Sequence, residues 1–126
     1  MKVVIIGNGV AGTFSAQNIR RLSDDAEIEI YSQEKYPYYT RIKLPELISE
    51  KIKIDDLIVF KEEWYKNKNI TTYLGKKITR IDHKQKSLFI EEENLPIPYD
   101  KLIIATGSMP NIPPIKNARR CYLLFL

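Results

Sequence analysis

The N-terminal residues 2–12, K-V-V-I-I-G-N-G-V-A-G, constrain the fold of this chain more than any other stretch. Residues 3–6 are consecutive β-branched apolar residues, which favour a buried parallel strand. A G-x-G-x-x-G pattern follows and opens an apparent helix. Gly7 permits a tight turn, Gly9 lets a diphosphate approach the backbone, and Gly12 lets the helix pack close to the strand. Because the start of a helix attracts anions, the stretch predicts a unit that binds a dinucleotide.

Composition narrows the class of protein. The chain has 126 residues, 44% of them hydrophobic, which is enough for one domain with a modest core. Its net charge is +4, but lysines and glutamates are interspersed, so we expect no nucleic-acid partner. The N-terminal apolar run is too short for a membrane span or a signal peptide. Cys121 is the only cysteine, which excludes an internal disulfide or a redox cysteine pair and fits a reducing cytoplasm.

The first helix is predicted to run to about Leu22. Its apolar face at helical spacing comprises Ala11, Phe14 or Ser15, Ile19 and Leu22, and the small Ala16 is also expected to face the sheet.

The second strand is predicted at residues 27–31, E-I-E-I-Y, where apolar and polar residues alternate. The alternation is more polar than that of most central parallel strands, so we expect one face of this strand to be partly wet. Glu34 follows, 22 residues beyond Gly12, close to where a dinucleotide fold places its ribose-binding acid. Its carboxylate can accept hydrogen bonds from both ribose hydroxyls. The alternative is an ordinary surface glutamate, and the upstream glycine motif favours the ribose role.

A tyrosine-rich loop, Y-P-Y-Y-T-R at residues 36–41, comes next, at the carboxyl edge of the predicted sheet. Open α/β sheets bind their ligands at that edge. The tyrosines can pack the loop down, or they can form a wall beside a flat cofactor, with Arg41 and Lys43 supplying positive charge. Composition alone leaves these two interpretations equally supported.

The middle of the chain predicts two helices, a strand and a small antiparallel meander. The helices cover residues 44–49 and 56–66, with Trp64 as a packing anchor, and the strand covers residues 70–74. The meander strands are residues 76–82, 87–92 and 95–99, the last held to an edge by its prolines. His83 lies in the first meander turn and is interpreted as a solvated turn residue rather than a base or metal ligand.

The last part of the chain predicts a second buried parallel strand at residues 102–105, closed by the small residues Ala105, Thr106 and Gly107, which let a cofactor approach the backbone. Residues 109–114 are predicted to form a loop. Residues 121–126 form an apolar run that suits a strand. An apolar end without a polar tail is unusual for a complete domain, so we expect a truncated one.

Three separate stretches, in the correct order, resemble the N-terminal FAD-binding part of the pyridine-nucleotide-disulfide oxidoreductase superfamily. They are V-V-I-I-G-N-G-V-A-G, E-K-Y-P-Y-Y-T-R-I-K-L-P-E-L-I and Y-D-K-L-I-I-A-T-G-S. The chain is most similar to flavoproteins like NAD(P)H-nitrite reductase and NADH:rubredoxin oxidoreductase. The resemblance implies an α/β, Rossmann-like FAD/NAD(P)-binding fold, a parallel sheet with an inserted antiparallel β-meander, and one FAD-binding domain over residues 1–126.

The resemblance also implies roles for individual residues. Those that would cradle the FAD diphosphate are Gly7, Asn8, Gly9, Val10, Ala11 and Gly12. Glu34 would hold the adenosine ribose with Lys35 beside it, and Arg41 would lie near the flavin or diphosphate. The backbone of Ile78 would pair with the adenine. The residues that would lie against the cofactor are Ala105, Thr106 and Gly107.

The chain also departs from the family pattern. Glu46 stands where many relatives carry a lysine, so a lysine role at the flavin is not carried over, and Lys43 is a substitute candidate. The redox cysteine pair of the glutathione-reductase branch is absent, as is the second glycine motif that binds NAD(P)H in family members. Hydride transfer therefore cannot be organised by these residues alone, and we expect the chain by itself to be inactive.

Three hypotheses about function follow. The chain is the FAD-binding portion of an NAD(P)H-dependent flavin oxidoreductase that delivers electrons to rubredoxin, to a nitrite-reducing centre or to oxygen. Alternatively, it is a non-catalytic nucleotide-binding or interaction module that self-associates through its apolar end. The third and weaker hypothesis is a plain NAD-binding Rossmann protein.

Overall fold

The computed structural model describes residues 1–91 and 93–108. In chain order the helices and strands are β1 (Lys2–Ile6), α1 (Val10–Leu22), β2 (Glu27–Ser32), α2 (Leu44–Ile48), α3 (Glu62–Asn67), β3 (Ile70–Leu74), β4 (Ile78–Asp82), β5 (Ser87–Ile90), β6 (Glu93–Pro98) and β7 (Lys101–Ile104), with 3-10 turns at Arg41–Lys43 and Ile54–Asp56. The predicted loop at residues 109–114 and the predicted strand at residues 121–126 lie outside the described residues.

A parallel sheet with the strand order β3-β2-β1-β7 forms the centre of the fold. One face packs against helices, where the apolar side chains of β1 and β2 meet Ala16 of α1 and Tyr65 of α3. The opposite face packs against Leu88 and Ile90 of the second sheet. The predicted α/β fold with a parallel sheet is therefore confirmed, and its core is divided between the two faces.

The second sheet is the predicted antiparallel meander, with the order β4-β5-β6, inserted in the chain between β3 and β7. β6 carries Pro96 and Pro98 and lies at an edge, because proline cannot donate a hydrogen bond to a second neighbour. His83 is exposed in the β4–β5 turn, as predicted. The Oδ1 atom of Asp82 holds this turn by accepting from the backbone N–H groups of Lys84 (3.1 Å) and Gln85 (3.0 Å).

The predicted buried face of α1 is confirmed for Ala16, which is buried, and for Ile19, which packs partly buried against the core, but it is wrong for Ala11, Phe14 and Leu22, which are exposed. The residues that α1 buries are Gly12, Thr13 and Ala16, whereas Leu22 is 89% exposed and Phe14 is 42% exposed. A β-carbon on Gly12 would lie 1.9 Å from the carbonyl oxygen of Gly7 and 3.3 Å from the Cγ2 atom of Ile5. The helix lies so close to the β1 turn that only small side chains fit between them, and this close packing outweighs the hydrophobic pattern of the helix.

β2 also differs from its prediction, because its polar face is buried rather than partly wet. Glu29 is 6% exposed and lies on the meander side of the sheet. The Nζ atom of Lys2 lies 2.9 Å from its Oε1 atom, and the Tyr31 hydroxyl donates to its Oε2 atom at 3.0 Å. The rings of Tyr31 and Tyr73 stack at 4.5 Å beside it. A buried carboxylate is tolerated here because a cation and hydroxyl groups compensate its lost hydration.

Two further predictions are corrected. Residues 57–61 are not helical, and α3 begins only at Glu62. The backbone N–H groups of Val59 and Phe60 donate to the carbonyl of Tyr38 instead, and the Leu57 carbonyl accepts from Thr40, so the chain pairs with the tyrosine-rich loop.

β7 was expected to be buried, but Ile104 is 62% exposed because β7 forms an edge of the sheet within the described part of the chain.

Substituting Gly12→Ala tests the close approach of α1 to the β1 turn. The new methyl group would meet backbone, which cannot rotate away, so we expect the free energy of unfolding to fall by about 3 kcal/mol. Gly9→Ala is the matched control, because a β-carbon there meets no atom of the described residues within 4 Å, and the loss there should stay below about 1 kcal/mol. Urea unfolding followed by circular dichroism measures both. Equal losses in the two variants would contradict the packing argument.

The buried tyrosines predict how stability depends on alkaline pH. Burial raises the pKa of Tyr31 above the ordinary value of 10, and the hydrogen bond and negative charge of Glu29 raise it further. The folded state then holds this proton more tightly than the unfolded chain. The stabilisation is complete below pH 10 and is lost as the pH rises towards the folded-state pKa, by at most about 1.4 kcal/mol per pH unit for one group.

Urea unfolding between pH 9 and pH 12 checks this dependence. The decline of the free energy of unfolding should be shallower in Tyr31→Phe than in the unchanged chain. Tyr36→Phe, which removes a hydroxyl from an exposed ring, should leave the slope unaltered. The explanation fails if Tyr31→Phe and the unchanged chain lose stability with the same slope.

Candidate cofactor-binding site

A cleft of about 500 Å³ lies at the carboxyl ends of β1, β2 and β7. Five parts of the chain form its walls: the β1–α1 turn, the end of β2, the tyrosine-rich loop, the start of β4, and the residues after β7. The predicted site residues that line it are Gly7, Asn8, Gly9, Val10, Ala11, Glu34, Arg41, Ile78, Ala105, Thr106 and Gly107. Residues far apart in the sequence thus meet at the edge where parallel sheets bind ligands.

The β1–α1 turn is held tightly against both neighbouring strands. Gly7 has a φ of +108°, and a β-carbon on it would lie 2.2 Å from the carbonyl oxygen of Ala105, so the position requires glycine. Its N–H donates to the carbonyl of Tyr31 at 2.7 Å, and the Ala105 N–H donates to the carbonyl of Ile6 at 2.8 Å. These contacts fix the start of α1 over the cleft.

The start of α1 has the properties of an anion site. Gly9 is its N-cap, no side chain caps the helix, and its first turn contains no acidic residue. A β-carbon on Gly9 would meet no atom of residues 1–91 and 93–108 within 4 Å, so its side-chain space is open in this part of the chain. The backbone N–H groups and the positive end of the helix dipole therefore face space that a negatively charged ligand can occupy.

Asn8 is the side chain that anchors this turn, and only 8% of it is exposed. Its Oδ1 atom accepts hydrogen bonds from the Thr13 hydroxyl (3.0 Å) and the Tyr65 hydroxyl (3.1 Å). Its Nδ2 atom is buried and has no hydrogen-bond partner within the described ranges. The sequence did not single out Tyr65, because nothing in a W-Y pair on a helix indicates a contact with residues more than fifty positions away.

Glu34 lies just beyond β2, where its turn is fixed by backbone hydrogen bonds from the β3–β4 connection. Gly75 donates to the Glu34 carbonyl at 3.0 Å and Lys76 donates to the Ser32 carbonyl at 2.8 Å. The Glu34 side chain is half-exposed, and its Oε1 atom accepts from Arg41 Nη2 at 2.9 Å. The predicted ribose-binding acid and the predicted arginine are therefore neighbours at one end of the cleft.

The structure confirms that the tyrosine-rich loop is packed down and places two of its tyrosines in the cleft wall, while their position beside a flat cofactor stays a prediction. Tyr38 packs edge-on against Phe14, with ring centroids 6.3 Å apart, and also lines the cleft together with Tyr39. Burial raises the pKa of Tyr39, and the negative charge of Glu34 adds to this effect. Tyr36 is 49% exposed and lies outside the cleft wall. Two of the three tyrosines therefore form a wall, and one of these two also packs the loop down.

Three predicted site residues do not line the cleft. Gly12 packs α1 against the β1 turn, as described above. Lys35 is exposed and its Cγ atom lies beside Gly75, and Lys43 is exposed in the 3-10 turn. Lining residues that the sequence analysis did not propose are Tyr31, Ser32, Gln33, Thr40, Ile42, Lys76 and Lys77. The sequence could have indicated Ser32 and Gln33 as lining residues, because they lie at the carboxyl end of a predicted parallel strand.

A second depression, of about 520 Å³, runs along the outer side of β3 and α3. None of the predicted site residues lines it, and its size alone does not indicate a ligand. The cleft at the carboxyl edge is the better candidate, because backbone donors, basic side chains and open glycine space converge there. None of the helices in residues 1–91 and 93–108 is long and apolar enough to cross a membrane.

The fold and the cleft define an α/β protein of the Rossmann type, and comparison with known proteins specifies the family. The family described as "Pyridine nucleotide-disulphide oxidoreductase" matches residues 1–124, and the chain belongs to this family.

The relatives and solved structures agree with this assignment. The chain is 36% identical over 118 residues to an assimilatory nitrate reductase electron transfer subunit of Bacillus subtilis, covering 93% of this chain and 15% of the relative. It is 34% identical over 124 residues to the NADH-rubredoxin oxidoreductase of Clostridium acetobutylicum, covering 98% of this chain and 32% of the relative. The chain thus spans a third or less of these relatives.

Two crystal structures are similar over most of the described fold. That of the NADH:rubredoxin oxidoreductase from Clostridium acetobutylicum gives a TM-score of 0.77 at 38% identity, covering 87% of this chain and 28% of that one. That of an NAD-dependent persulfide reductase from A. fulgidus gives a TM-score of 0.84 at 35% identity, covering 93% of this chain and 24% of that one. The predicted family and fold class are therefore confirmed.

The contact between Arg41 and Glu34 should contribute little to the stability of the fold. Arg41 is 68% exposed and Glu34 is 39% exposed, and exposed ion pairs contribute about 0–1 kcal/mol. We expect Arg41→Ala and Glu34→Gln each to lower the free energy of unfolding by less than about 1 kcal/mol. Urea unfolding at low and high salt measures this. A loss of several kcal/mol would instead identify the pair as a structural element.

Proposed function

We propose that this chain forms the adenosine and diphosphate end of an FAD site in a flavin-dependent oxidoreductase that takes electrons from NAD(P)H. The observation that carries the proposal is the cleft at the carboxyl edge of the parallel sheet. It brings the open glycine turn, the acid after β2 and the small residues after β7 to one place. A dinucleotide needs a donor-rich site for its diphosphate, an acceptor for its ribose and a close backbone approach along its length.

The residues present fit FAD. The start of α1 would hold the diphosphate, because its N–H groups are not capped by a side chain and Gly9 leaves the approach open. Basic side chains outnumber acidic ones among the residues that line the cleft, which contain Arg41, Lys76 and Lys77 against Glu34. Arg41 pairs with Glu34 and Lys77 pairs with Glu91, so the backbone N–H groups at the start of α1 remain the main attraction for the diphosphate.

Glu34 supports the ribose role in particular. Its Oε1 atom is occupied by Arg41, and a carboxylate has acceptor sites left on both oxygens for hydroxyl donors. Arg41 contacts this carboxylate at 2.9 Å, and both residues line the cleft. Ala105, Thr106 and Gly107 would form the wall on the other side of β1, where Gly107 has a φ of +71°.

The bound flavin would supply hydride acceptance and electron transfer, while the residues of this chain bind and orient the cofactor. The named activities of the relatives, which include NADH-rubredoxin oxidoreductase and nitrite reductase [NAD(P)H], support NAD(P)H as the electron donor. They also support an external acceptor, with a small redox protein as one class. The sequence contains one G-x-G-x-x-G motif, at residues 7–12. Because we assign this motif to FAD, we propose that other residues bind the nicotinamide cofactor.

Gly9→Ala tests whether the glycine turn is the diphosphate site. We expect the affinity for FAD to fall by about tenfold or more, because the methyl group would occupy the space that the diphosphate needs. The stability of the variant should change little, as argued above. Titration with FAD, followed by quenching of flavin fluorescence and by calorimetry, measures the affinity. Asn18→Ala, an exposed change on the same helix, is the control and should bind FAD as the unchanged chain does.

The same titration distinguishes FAD from NAD, which shares the adenosine diphosphate end. The proposal requires that FAD binds more tightly than NAD. A folded chain that takes up no FAD would contradict the proposed function, and tighter binding of NAD would favour the plain NAD-binding hypothesis. Equal FAD affinity in Gly9→Ala and the unchanged chain would place the ligand elsewhere.

A further inference from the structure

Two hydrogen bonds connect two walls of the cleft, the glycine turn and the tyrosine-rich loop, through one buried hydroxyl group. The backbone N–H of Tyr38, in the tyrosine-rich loop, donates to the Tyr65 oxygen at 3.2 Å. The Tyr65 hydroxyl lies 3.1 Å from the Oδ1 atom of Asn8, in the glycine turn. Tyr65 itself does not line the cleft, and it is only 2% exposed.

The direction of these hydrogen bonds is determined by their first member. A backbone N–H can only donate, so the Tyr65 oxygen accepts from Tyr38 and directs its own proton to Asn8. The Thr13 hydroxyl donates to the same Asn8 Oδ1 atom at 3.0 Å. Two donors therefore converge on this oxygen, and the amide of Asn8 is held in one orientation.

Asn8 is held through that oxygen. Its Nδ2 atom is buried without a partner in the described part of the chain, so loss of the Tyr65 hydroxyl would leave Thr13 as the remaining side-chain donor to this amide. Gly7 and Gly9, on either side, have no side chains with which to anchor the turn. Asn8 is thus the residue by which side-chain contacts hold this part of the glycine turn.

The other end of the chain of hydrogen bonds is equally well placed. Tyr38 lines the cleft, and its carbonyl accepts from the Val59 N–H at 2.9 Å. Its ring packs against Phe60 with centroids 5.7 Å apart. Any movement of this loop away from the glycine turn would have to break the hydrogen bond to Tyr65 or pull Tyr65 from its buried position.

We propose that Tyr65 is a positioning residue that sets the separation between the glycine turn and the tyrosine-rich loop, and thereby the affinity for the bound dinucleotide. Its hydroxyl acts on both walls at once, through Asn8 on one side and the Tyr38 backbone on the other. This inference rests on the proposed function of the cleft as an FAD site. It adds a residue of α3, outside the cleft, to the determinants of binding.

Tyr65→Phe tests the proposal, because it keeps the ring and removes only the hydroxyl. We expect the FAD dissociation constant to rise about tenfold, which corresponds to one broken buried hydrogen-bond connection. Tyr73→Phe is the matched control: it also removes a tyrosine hydroxyl that is bonded to another side chain, but its partner Glu29 does not line the cleft, whereas Asn8 and Tyr38 do. It should bind FAD within about twofold of the unchanged chain.

A double-mutant cycle with Asn8→Ala separates positioning from general loss of stability. If Tyr65 acts through Asn8, the double variant should bind FAD about tenfold more weakly than the unchanged chain, as each single variant does, rather than a hundredfold more weakly. All titrations are made at 10 °C, with circular dichroism at each point to confirm that the variants are folded. A variant that unfolds is replaced by Tyr65→Met, which also lacks the hydroxyl but fills part of the same space.

The outcomes are distinct. The inference is overturned, with the proposed function intact, if the unchanged chain binds FAD and the variant lacking the Tyr65 hydroxyl binds it equally well. It is also overturned if the effects of the Asn8 and Tyr65 variants are additive, since the two residues would then act independently. Failure of the unchanged, folded chain to bind FAD overturns the proposed function and this inference together.

Discussion

The cleft depends on the close approach of the first helix to the turn that precedes it. The α-carbon of Gly12 lies so near the Gly7 carbonyl that a single methyl group cannot be inserted. This approach places the start of α1 directly above the carboxyl end of β1, with its first-turn N–H groups near the strand ends. It also favours small residues on the buried face of the helix, where Thr13 and Ala16 are completely buried.

Buried polar groups on the two faces of the sheet are compensated in different ways. On the meander side, the charge of Glu29 is balanced by Lys2 and by tyrosine hydroxyls. On the helix side, the neutral amide of Asn8 is held by Thr13 and Tyr65. In each case a tyrosine contributes a large apolar ring to the core and a hydroxyl to a buried acceptor, so core packing and polar satisfaction depend on the same residue.

The site is assembled from parts of the chain that have little to do with one another in sequence. The turn that carries Glu34 is held by backbone hydrogen bonds from the connection after β3, and the turn that carries Gly7 touches Ala105 after β7. The tyrosine-rich loop is held by residues 57–60, whose backbone pairs with it instead of forming the predicted helix. Each of these walls is therefore stabilised by contacts with a segment that is distant from it in the sequence.

Local sequence determined the elements whose signals are short in range. A run of β-branched residues followed by glycines at fixed spacing requires a strand, a turn and a helix, because the allowed backbone angles and the absent side chains leave few alternatives. Prolines in β6 determined its edge position in the same way. The position of Glu34 after a recognisable strand then followed from counting residues.

Tertiary structure alone decided which side chains face inward and which residues meet. The spacing of Phe14 and Leu22 indicated one buried face of α1, but the distance to the β1 turn selected another. The alternation in β2 predicted that Glu29 faces solvent, but the meander covers that face of the sheet. Residues 57–61 were predicted to be helical, but the backbone of this segment forms hydrogen bonds with Tyr38 instead. The contact of Tyr65 with Asn8 joins residues 57 positions apart, and no local pattern encodes such a contact because it arises only when α3 packs against the turn.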